Sequence, residues 1–173
     1  MGQYYVIANL DKKEFIDPYA FGNGVKLMEF GMDAASTMTA LAILLASSNG
    51  MGGGDLHLPM DTKWEHMPGR WAGDRIVIAG DYDDREGSPG RGVYTRCGNS
   101  SPMEELANTT EPTGMFIDIS YEVLGCLLED VHFRKDFLSF ESENKTWEEY
   151  MKSKRREAWS KARPNEGLPE VLA

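Results

Sequence analysis

The chain has 173 residues, of which 41% are apolar, and it carries a formal charge of −10 at pH 7. This length and apolar content predict one folded domain with a sizeable core and exclude an intrinsically disordered chain. The charge is uneven: residues 141–163 hold five Glu against seven Lys and Arg, and the last ten residues hold two Glu, so residues 1–140 carry the whole −10. An acidic body lacks the basic surface that nucleic acid requires, which excludes direct nucleic-acid binding.

No segment predicts export or membrane insertion. The N-terminus has no basic region followed by an apolar core, and the longest apolar run, residues 38–46, is too short to span a bilayer. Cys97 in a polar loop and Cys126 in an apolar helical pattern are predicted to be free thiols of a reducing compartment. These features predict a protein of the cytoplasm with no membrane partner.

Five short segments predict strands. Residues 3–10 and 14–16 are rich in aromatic and β-branched residues on either side of a polar break, which predicts a β-hairpin. Residues 25–30 alternate apolar and charged side chains, and residues 75–79 form an apolar run between two Gly-Asp corners. With a further short strand at residues 115–119, the pattern predicts a small, mainly antiparallel sheet in which residues 75–79 form the central strand.

Residues 33–48 predict the clearest helix, which is apolar on nearly every side and is therefore expected to be buried. Further helices are predicted at residues 103–107, 119–138 and 146–163. A small sheet packed on a buried helix, with two C-terminal helices, is an α+β fold.

The basic C-terminal helix is predicted to lie outside the main domain. The expected boundaries are a globular α+β domain over residues 1–140, a C-terminal helix over residues 141–163 and a flexible tail over residues 164–173. The helix carries Trp147 and Met151 on one stripe with basic residues on its other faces. It can dock on its own domain or on a second copy, which would give a homo-oligomer.

Two segments predict a ligand site. The loop at residues 50–57 is rich in glycine, and successive backbone N–H groups can cradle an anion. Residues 69–83 hold ionisable and aromatic groups at the ends of a rigid strand, where they can meet a ligand or partner, or satisfy turns. The candidate ligand-binding residues are Gly52, Gly53, Gly54, Asp55, His57, Arg70, Trp71, Asp74 and Arg75.

Several alternatives stay open for this site. The glycine-rich loop follows a helix, unlike known phosphate-binding loops, so it can equally be a connector. The chain has neither a His-Glu-x-x-His nor a Gly-x-Ser-x-Gly motif, and no catalytic residue, metal or cofactor is assigned. Asp74 and Asp81 lie seven residues apart, so a straight strand holds them at opposite ends of the sheet and one site can use only one of them.

Four blocks within residues 1–84, MGQYYVIANLDKKEFIDP, FGNGVKLMEFG, SSNGMGGGDLH and GRWAGDRIVIAGDYDD, resemble a family of short hypothetical proteins of phage and prophage genomes. The resemblance implies a bacterial host cell and brings no catalytic role. In that setting we expect an accessory protein that acts by binding a host protein, as an inhibitor of a host defence system. The alternative is a nucleotide- or metal-binding protein, acting by sequestration or hydrolysis, in which residues 50–57 and 69–83 hold a phosphorylated small molecule or a metal.

Overall fold

The computed structural model describes residues 3–31, 36–50, 52–60, 62–83, 85–98 and 115–141, without the side chains of residues 138–141. The predicted helices at residues 103–107 and 146–163 and the tail at residues 164–173 lie outside these ranges.

Within the described ranges lie four strands, four α-helices and two 3-10 helices. The strands are β1 (Tyr5–Asn9), β2 (Glu14–Ile16), β3 (Ile76–Gly80) and β4 (Ile117–Asp118). The α-helices are α1 (Thr37–Leu45), α2 (Val93–Arg96), α3 (Ser120–Leu127) and α4 (Val131–Glu141), and the 3-10 helices are Pro18–Phe21 and Leu27–Glu29. None of these helices combines the length and the apolar composition that a membrane span requires.

The strands form one sheet in the order β3-β1-β2-β4. Strand β1 pairs antiparallel with β2 and with β3, and β4 runs parallel to β2. The α+β fold, the β1–β2 hairpin and the mainly antiparallel sheet are therefore confirmed. The prediction that residues 75–79 form the central strand is wrong: in the sheet of the described residues β3 lies at an edge, and β1 is flanked on both sides.

The sheet is buried on both faces because alternate side chains of β1 enter different cores. Ile7 belongs to the larger core with Leu44 of α1, whereas Val6 and Ala8 belong to a smaller core. The smaller core is completed by Phe15, Ala79, Val93, Cys97 and Phe116. A single buried helix therefore covers only one face of the sheet, and α2 contributes to the cover of the other.

Helix α1 ends where the segment after residue 68 supplies hydrogen bonds. The N–H of Gly69 donates to the carbonyl oxygen of Ile43 at 2.8 Å, and the N–H of Trp71 donates to that of Leu44 at 2.8 Å. These bonds satisfy carbonyl groups that the last turn of a helix leaves without partners. The described helix is accordingly shorter than the predicted one at residues 33–48; residues 32–35 lie outside the described ranges.

The predicted strand at residues 25–30 is wrong, because Leu27–Glu29 form a 3-10 helix. The side chain of Glu29 folds back onto the chain, and its Oε2 accepts a hydrogen bond from the N–H of Lys26 at 3.0 Å. Leu27 and Met28 are exposed. The alternation of apolar and charged residues does not reflect a buried face here.

The predicted single helix at residues 119–138 is two helices, α3 and α4, which break at Asp130. The Oδ1 atom of Asp130 accepts hydrogen bonds from the N–H groups of His132 at 2.8 Å and Phe133 at 3.0 Å. An aspartate that accepts from the second and third residues after it starts a new helix, since it satisfies N–H groups with no partner inside the helix. The apolar stripe runs through both helices and conceals this boundary.

We predict that Gly69→Ala lowers the free energy of unfolding much more than Gly73→Ala does. Both glycines have positive φ, +78° and +84°, which costs an alanine about 1–2 kcal/mol. A Cβ at position 69 would also lie 2.5 Å from the backbone oxygen of Ala46, whereas one at position 73 has open space. Because backbone cannot move aside cheaply, we expect a total loss of about 3 kcal/mol or more at position 69.

Urea unfolding of both variants checks this prediction. Equal losses would contradict the tight contact between Gly69 and the end of α1.

Candidate functional site

Arg70 and Trp71 converge on one carboxylate, that of Glu14 in strand β2. Arg70 donates to Glu14 from Nη2 at 2.6 Å and from Nε at 3.0 Å, and the indole N–H of Trp71 donates to it at 2.8 Å. Glu14 is buried and Trp71 is completely buried in the larger core. Trp71 therefore offers no face on which a planar ligand could stack.

Glu14 and Arg70 each stabilise the ionised form of the other. Burial raises the pKa of Glu14, but the hydrogen bonds from Arg70 and Trp71 outweigh burial, so the pKa lies below its usual 4.5. The hydrogen bond to Glu14 raises the pKa of Arg70 above its usual value. A carboxylate that stays ionised and fully paired near neutral pH is unsuited to acid–base catalysis.

Asp74 binds the turn between β1 and β2. Its Oδ2 accepts a hydrogen bond from Nδ2 of the buried Asn9 at 2.7 Å and also pairs with Lys12. The Oδ1 atom of Asn9 accepts from the N–H groups of Asp11 at 3.0 Å and Lys12 at 2.9 Å, which shapes the turn. The hydrogen bond from Lys12 is the main reason that the pKa of Asp74 is lowered.

Arg75 binds the same turn through Asp11. Its Nη2 and Nε atoms donate to Asp11 Oδ1 at 2.6 and 2.8 Å, and its backbone N–H donates to Oδ2 at 2.7 Å. The hydrogen bond from the side chain of Arg75 lowers the pKa of Asp11. Arg70, Trp71, Asp74 and Arg75 thus share one structural role, because all four side chains hold the β1–β2 hairpin.

The backbone of the glycine-rich loop binds the carboxylate of Asp55, a residue of the same loop. The N–H of Gly52 donates to Asp55 Oδ2 at 2.7 Å, and the N–H of Asp55 donates back to the carbonyl oxygen of Gly52 at 3.1 Å. Gly53 and Gly54 have open space beside them. A carboxylate bound to the loop backbone repels a phosphate and takes a donor that an anion nest would need.

His57 binds Asp130, the residue that precedes α4, and not the glycine-rich loop. Its backbone N–H donates to Asp130 Oδ2 at 3.0 Å, and its Nδ1 lies 3.3 Å from the same oxygen. Burial raises the pKa of Asp130, but the hydrogen bonds from Phe133, His57 and His132 outweigh burial and lower it. Among the described residues, no hydrogen bond or ion pair joins the candidates of the loop to Arg70, Trp71, Asp74 or Arg75.

Asp74 and Asp81 lie at opposite ends of β3, as the sequence predicts. Asp74 binds at the hairpin turn, whereas Asp81 Oδ1 accepts a hydrogen bond from the N–H of Tyr4 at 3.0 Å near the start of β1. Burial raises the pKa of nearby Tyr94 to about 12, and the charge of Asp81 adds to the shift.

The residues that bind these candidates were not foreseen. They are Asn9, Asp11, Lys12, Glu14 and Asp130. Glu14 carried a usable signal, because a carboxylate inside a short strand of a hairpin needs a cation if the strand is buried. Nothing in the sequence indicated which cation this would be, since Arg70 lies 56 residues further along the chain.

The described residues offer neither a metal cluster nor a reactive thiol. No three His, Cys, Asp or Glu side chains among them are grouped so that they could hold a metal ion. Both cysteines are free, as predicted, but Cys97 is buried in the smaller core and not in a polar loop. Burial raises the pKa of Cys97, and it raises that of Cys126 to about 12, so neither is a nucleophile at neutral pH.

A comparison of the chain with models of known protein families, with curated proteins and with solved structures finds no match.

We predict that Glu14→Gln lowers the free energy of unfolding by about 3 kcal/mol at neutral pH, because it removes the carboxylate to which the half-buried Arg70 is bound. The folded-state pKa of Glu14 is lowered, so its contribution is fully present above about pH 4.5 and is lost as the pH falls through the folded-state pKa. The difference between wild type and Glu14→Gln should therefore be constant from neutral pH to about 4.5 and shrink below it.

Denaturant titrations over this pH range measure the difference, with the exposed Glu65→Gln as the control. A difference that persists unchanged in acid would show that the charge of Glu14 is not its cause.

Proposed function

We propose that this chain is a phage-type accessory protein of the bacterial cytoplasm that acts by binding, and that it inhibits a host defence system by docking one face of helix α1 on a host protein. The observation that carries the proposal is that α1, TMTALAILL, is apolar on nearly all sides but buried on only one. A helix of this composition is normally covered on every side.

The uncovered side of α1 has a regular spacing. We call it the α1 outer face, and it consists of Met38, Ala42 and Leu45; Leu41, at its border, is half-buried and packs against the larger core. Positions i, i+3, i+4 and i+7 share one side of a helix. Met38 is 44% exposed and Leu45 41% exposed, while the opposite side packs in the core through Ala40 and Leu44. Exposed apolar side chains in such a stripe are typical of a protein interface.

Two more apolar side chains are exposed close to the start of α1 in the fold. The N–H of Met38 donates to the carbonyl oxygen of Phe30 at 3.2 Å, so the chain that follows the 3-10 helix Leu27–Glu29 meets the first turn of α1. Leu27 and Met28 on that 3-10 helix are exposed.

The charge of the chain favours a partner whose apolar groove is bordered by Lys and Arg. An apolar helix face that lies in a groove is a recurrent mode of recognition. The charge of −10 attracts a basic rim and accelerates the encounter. A groove that evolved for nucleic acid has such a rim, and an acidic protein bound there blocks it.

The phage setting and the host-defence target are supported by the resemblance of the four sequence blocks in residues 1–84, together with the acidic charge. The alternative, a nucleotide- or metal-binding function, draws little support from the geometry. Arg70, Trp71, Asp74 and Arg75 bind the hairpin, Asp55 binds its own loop, and His57 binds Asp130.

We predict that the double variant Met38→Glu, Leu45→Glu loses binding to the host protein by about 30-fold or more, since it places charge in the centre of an apolar interface. The matched control is Met60→Glu, because Met60 is 89% exposed and lies outside α1. Affinity capture from bacterial cells with all three proteins identifies partners lost only by the double variant, and titration of the purified partner gives the change in Kd.

Phage plating on strains with defined defence systems gives the second measurement. Wild type and Met60→Glu should raise plating on one defended strain, and the double variant should not. Undiminished binding or plating with the double variant, or a rise in Tm with a nucleotide or divalent metal, would speak for the alternative function.

A further inference from the structure

We propose that Asn49 is a site of spontaneous deamidation, and that this reaction releases residues 52–57 from the chain that follows helix α1. The reaction consumes water and needs no enzyme, and its product is an aspartate or an isoaspartate. It is independent of the α1 outer face and of the function proposed above. The site is distinguished by the different surroundings of two identical dipeptides in the chain.

The chain contains two Asn-Gly dipeptides, Asn23-Gly24 and Asn49-Gly50. An asparagine side chain is attacked most readily by the next backbone nitrogen when the next residue is glycine, because glycine has no Cβ to hinder the attack. The local sequence therefore makes the two sites equally reactive. Any difference between them comes from the fold.

The reaction joins the backbone nitrogen of Gly50 to Cγ of Asn49. As the new C–N bond forms, the bond from Cγ to Nδ2 breaks, and Nδ2 leaves as ammonia together with the proton of the Gly50 N–H. Water then opens the cyclic succinimide at one of its carbonyl carbons. Opening at Cγ gives aspartate with the ordinary backbone, and opening at the backbone carbonyl carbon gives isoaspartate.

The surroundings of Asn23 oppose this reaction. Asn23 is 5% exposed, and its Oδ1 accepts hydrogen bonds from the N–H of Thr37 at 2.6 Å and from the Thr37 hydroxyl at 2.8 Å. Bond formation requires Cγ to move onto the nitrogen of Gly24, and a side chain held in this way moves only when the buried contact opens. The side chain of Glu29 also occupies the position that a Cβ of Gly24 would take.

The surroundings of Asn49 leave it open to attack. Residues 46–50 follow the end of α1 and lie outside any helix or strand; Asn49 is half-buried and Gly50 is exposed. In the described part of the chain, the side chain of Asn49 is held by one hydrogen bond, from Nδ2 to the carbonyl oxygen of Leu56 at 2.8 Å. The N–H of Gly50, which has to lose its proton, donates to no other described residue.

Deamidation removes the contact between Asn49 and Leu56. Both products carry a carboxylate and neither retains Nδ2, so the carbonyl oxygen of Leu56 loses its donor and meets an acceptor in its place. The carboxylate of Asp55 is also close, since a Cβ on Gly50 would lie 3.4 Å from its Oδ2. The new negative charge is therefore repelled by the segment that the amide binds.

Ageing of the purified full chain at mildly alkaline pH, followed by peptide mass mapping, tests the site. Asn49 should convert about tenfold faster than Asn23 or more, because the reaction at Asn23 requires local opening. In guanidinium chloride the two dipeptides should convert at similar rates. Gly50→Ala is the matched variant: its Cβ makes only ordinary contact with Asp55 but hinders the attack, so Asn49 should convert severalfold more slowly.

Hydrogen exchange tests the release of residues 52–57. In Asn49→Asp their amide groups should exchange about fivefold faster than in wild type or more, which is the factor for one lost hydrogen bond. Asn49→Ala loses the same bond without gaining a charge, so its increase should be smaller. The amide groups of β1 serve as the internal reference and should be unchanged.

The proposed site is overturned by equal conversion of Asn23 and Asn49 in the folded chain, by conversion of Asn49 in denaturant alone, or by undiminished conversion in Gly50→Ala. Unchanged exchange of residues 52–57 in Asn49→Asp overturns the proposed release.

Discussion

The described structure depends on the hydrogen bonds that Arg70 and Trp71 donate to the buried carboxylate of Glu14. A carboxylate taken out of water costs several kcal/mol unless charged and neutral donors surround it, and here Arg70 and Trp71 provide three hydrogen bonds. The same segment supplies the N–H groups of Gly69 and Trp71 that bind the end of α1. Strand β2, helix α1 and the segment that leads to β3 are therefore held by one set of contacts.

This arrangement explains why the candidate site residues in the described part of the chain do not come together. Asp74 and Arg75 continue the same role on the hairpin turn, and Asp130 joins the loop at His57 to the start of α4. Polar groups that bind each other stabilise the fold, and they leave few hydrogen-bond donors and acceptors for a ligand. Among the described residues, the α1 outer face keeps exposed apolar side chains, and the binding function proposed above rests on them.

Local sequence patterns predicted which strands and helices form more reliably than they predicted where those elements lie in the fold. The hairpin, the apolar helix and the strand near residue 76 were predicted because side-chain periodicity and turn residues act over a few positions. The strand at residues 25–30 was mispredicted because alternation indicates a strand only where one face is buried, and here Leu27 and Met28 are exposed on a 3-10 helix. The helix at residues 119–138 was mispredicted as continuous because Asp130 caps a new helix inside an apolar stripe.

The sequence by itself determined the α+β class, the hairpin and the separation of Asp74 from Asp81 at the two ends of β3. The tertiary structure alone decided that β3 is an edge strand in the sheet of the described residues, and that Arg70 and Trp71 bind Glu14. The physical reason is distance along the chain: periodicity sets the face on which a side chain lies, but the partner of Glu14 is 56 residues away and that of Asn9 is 65 residues away. Only the path of the folded chain brings such groups together.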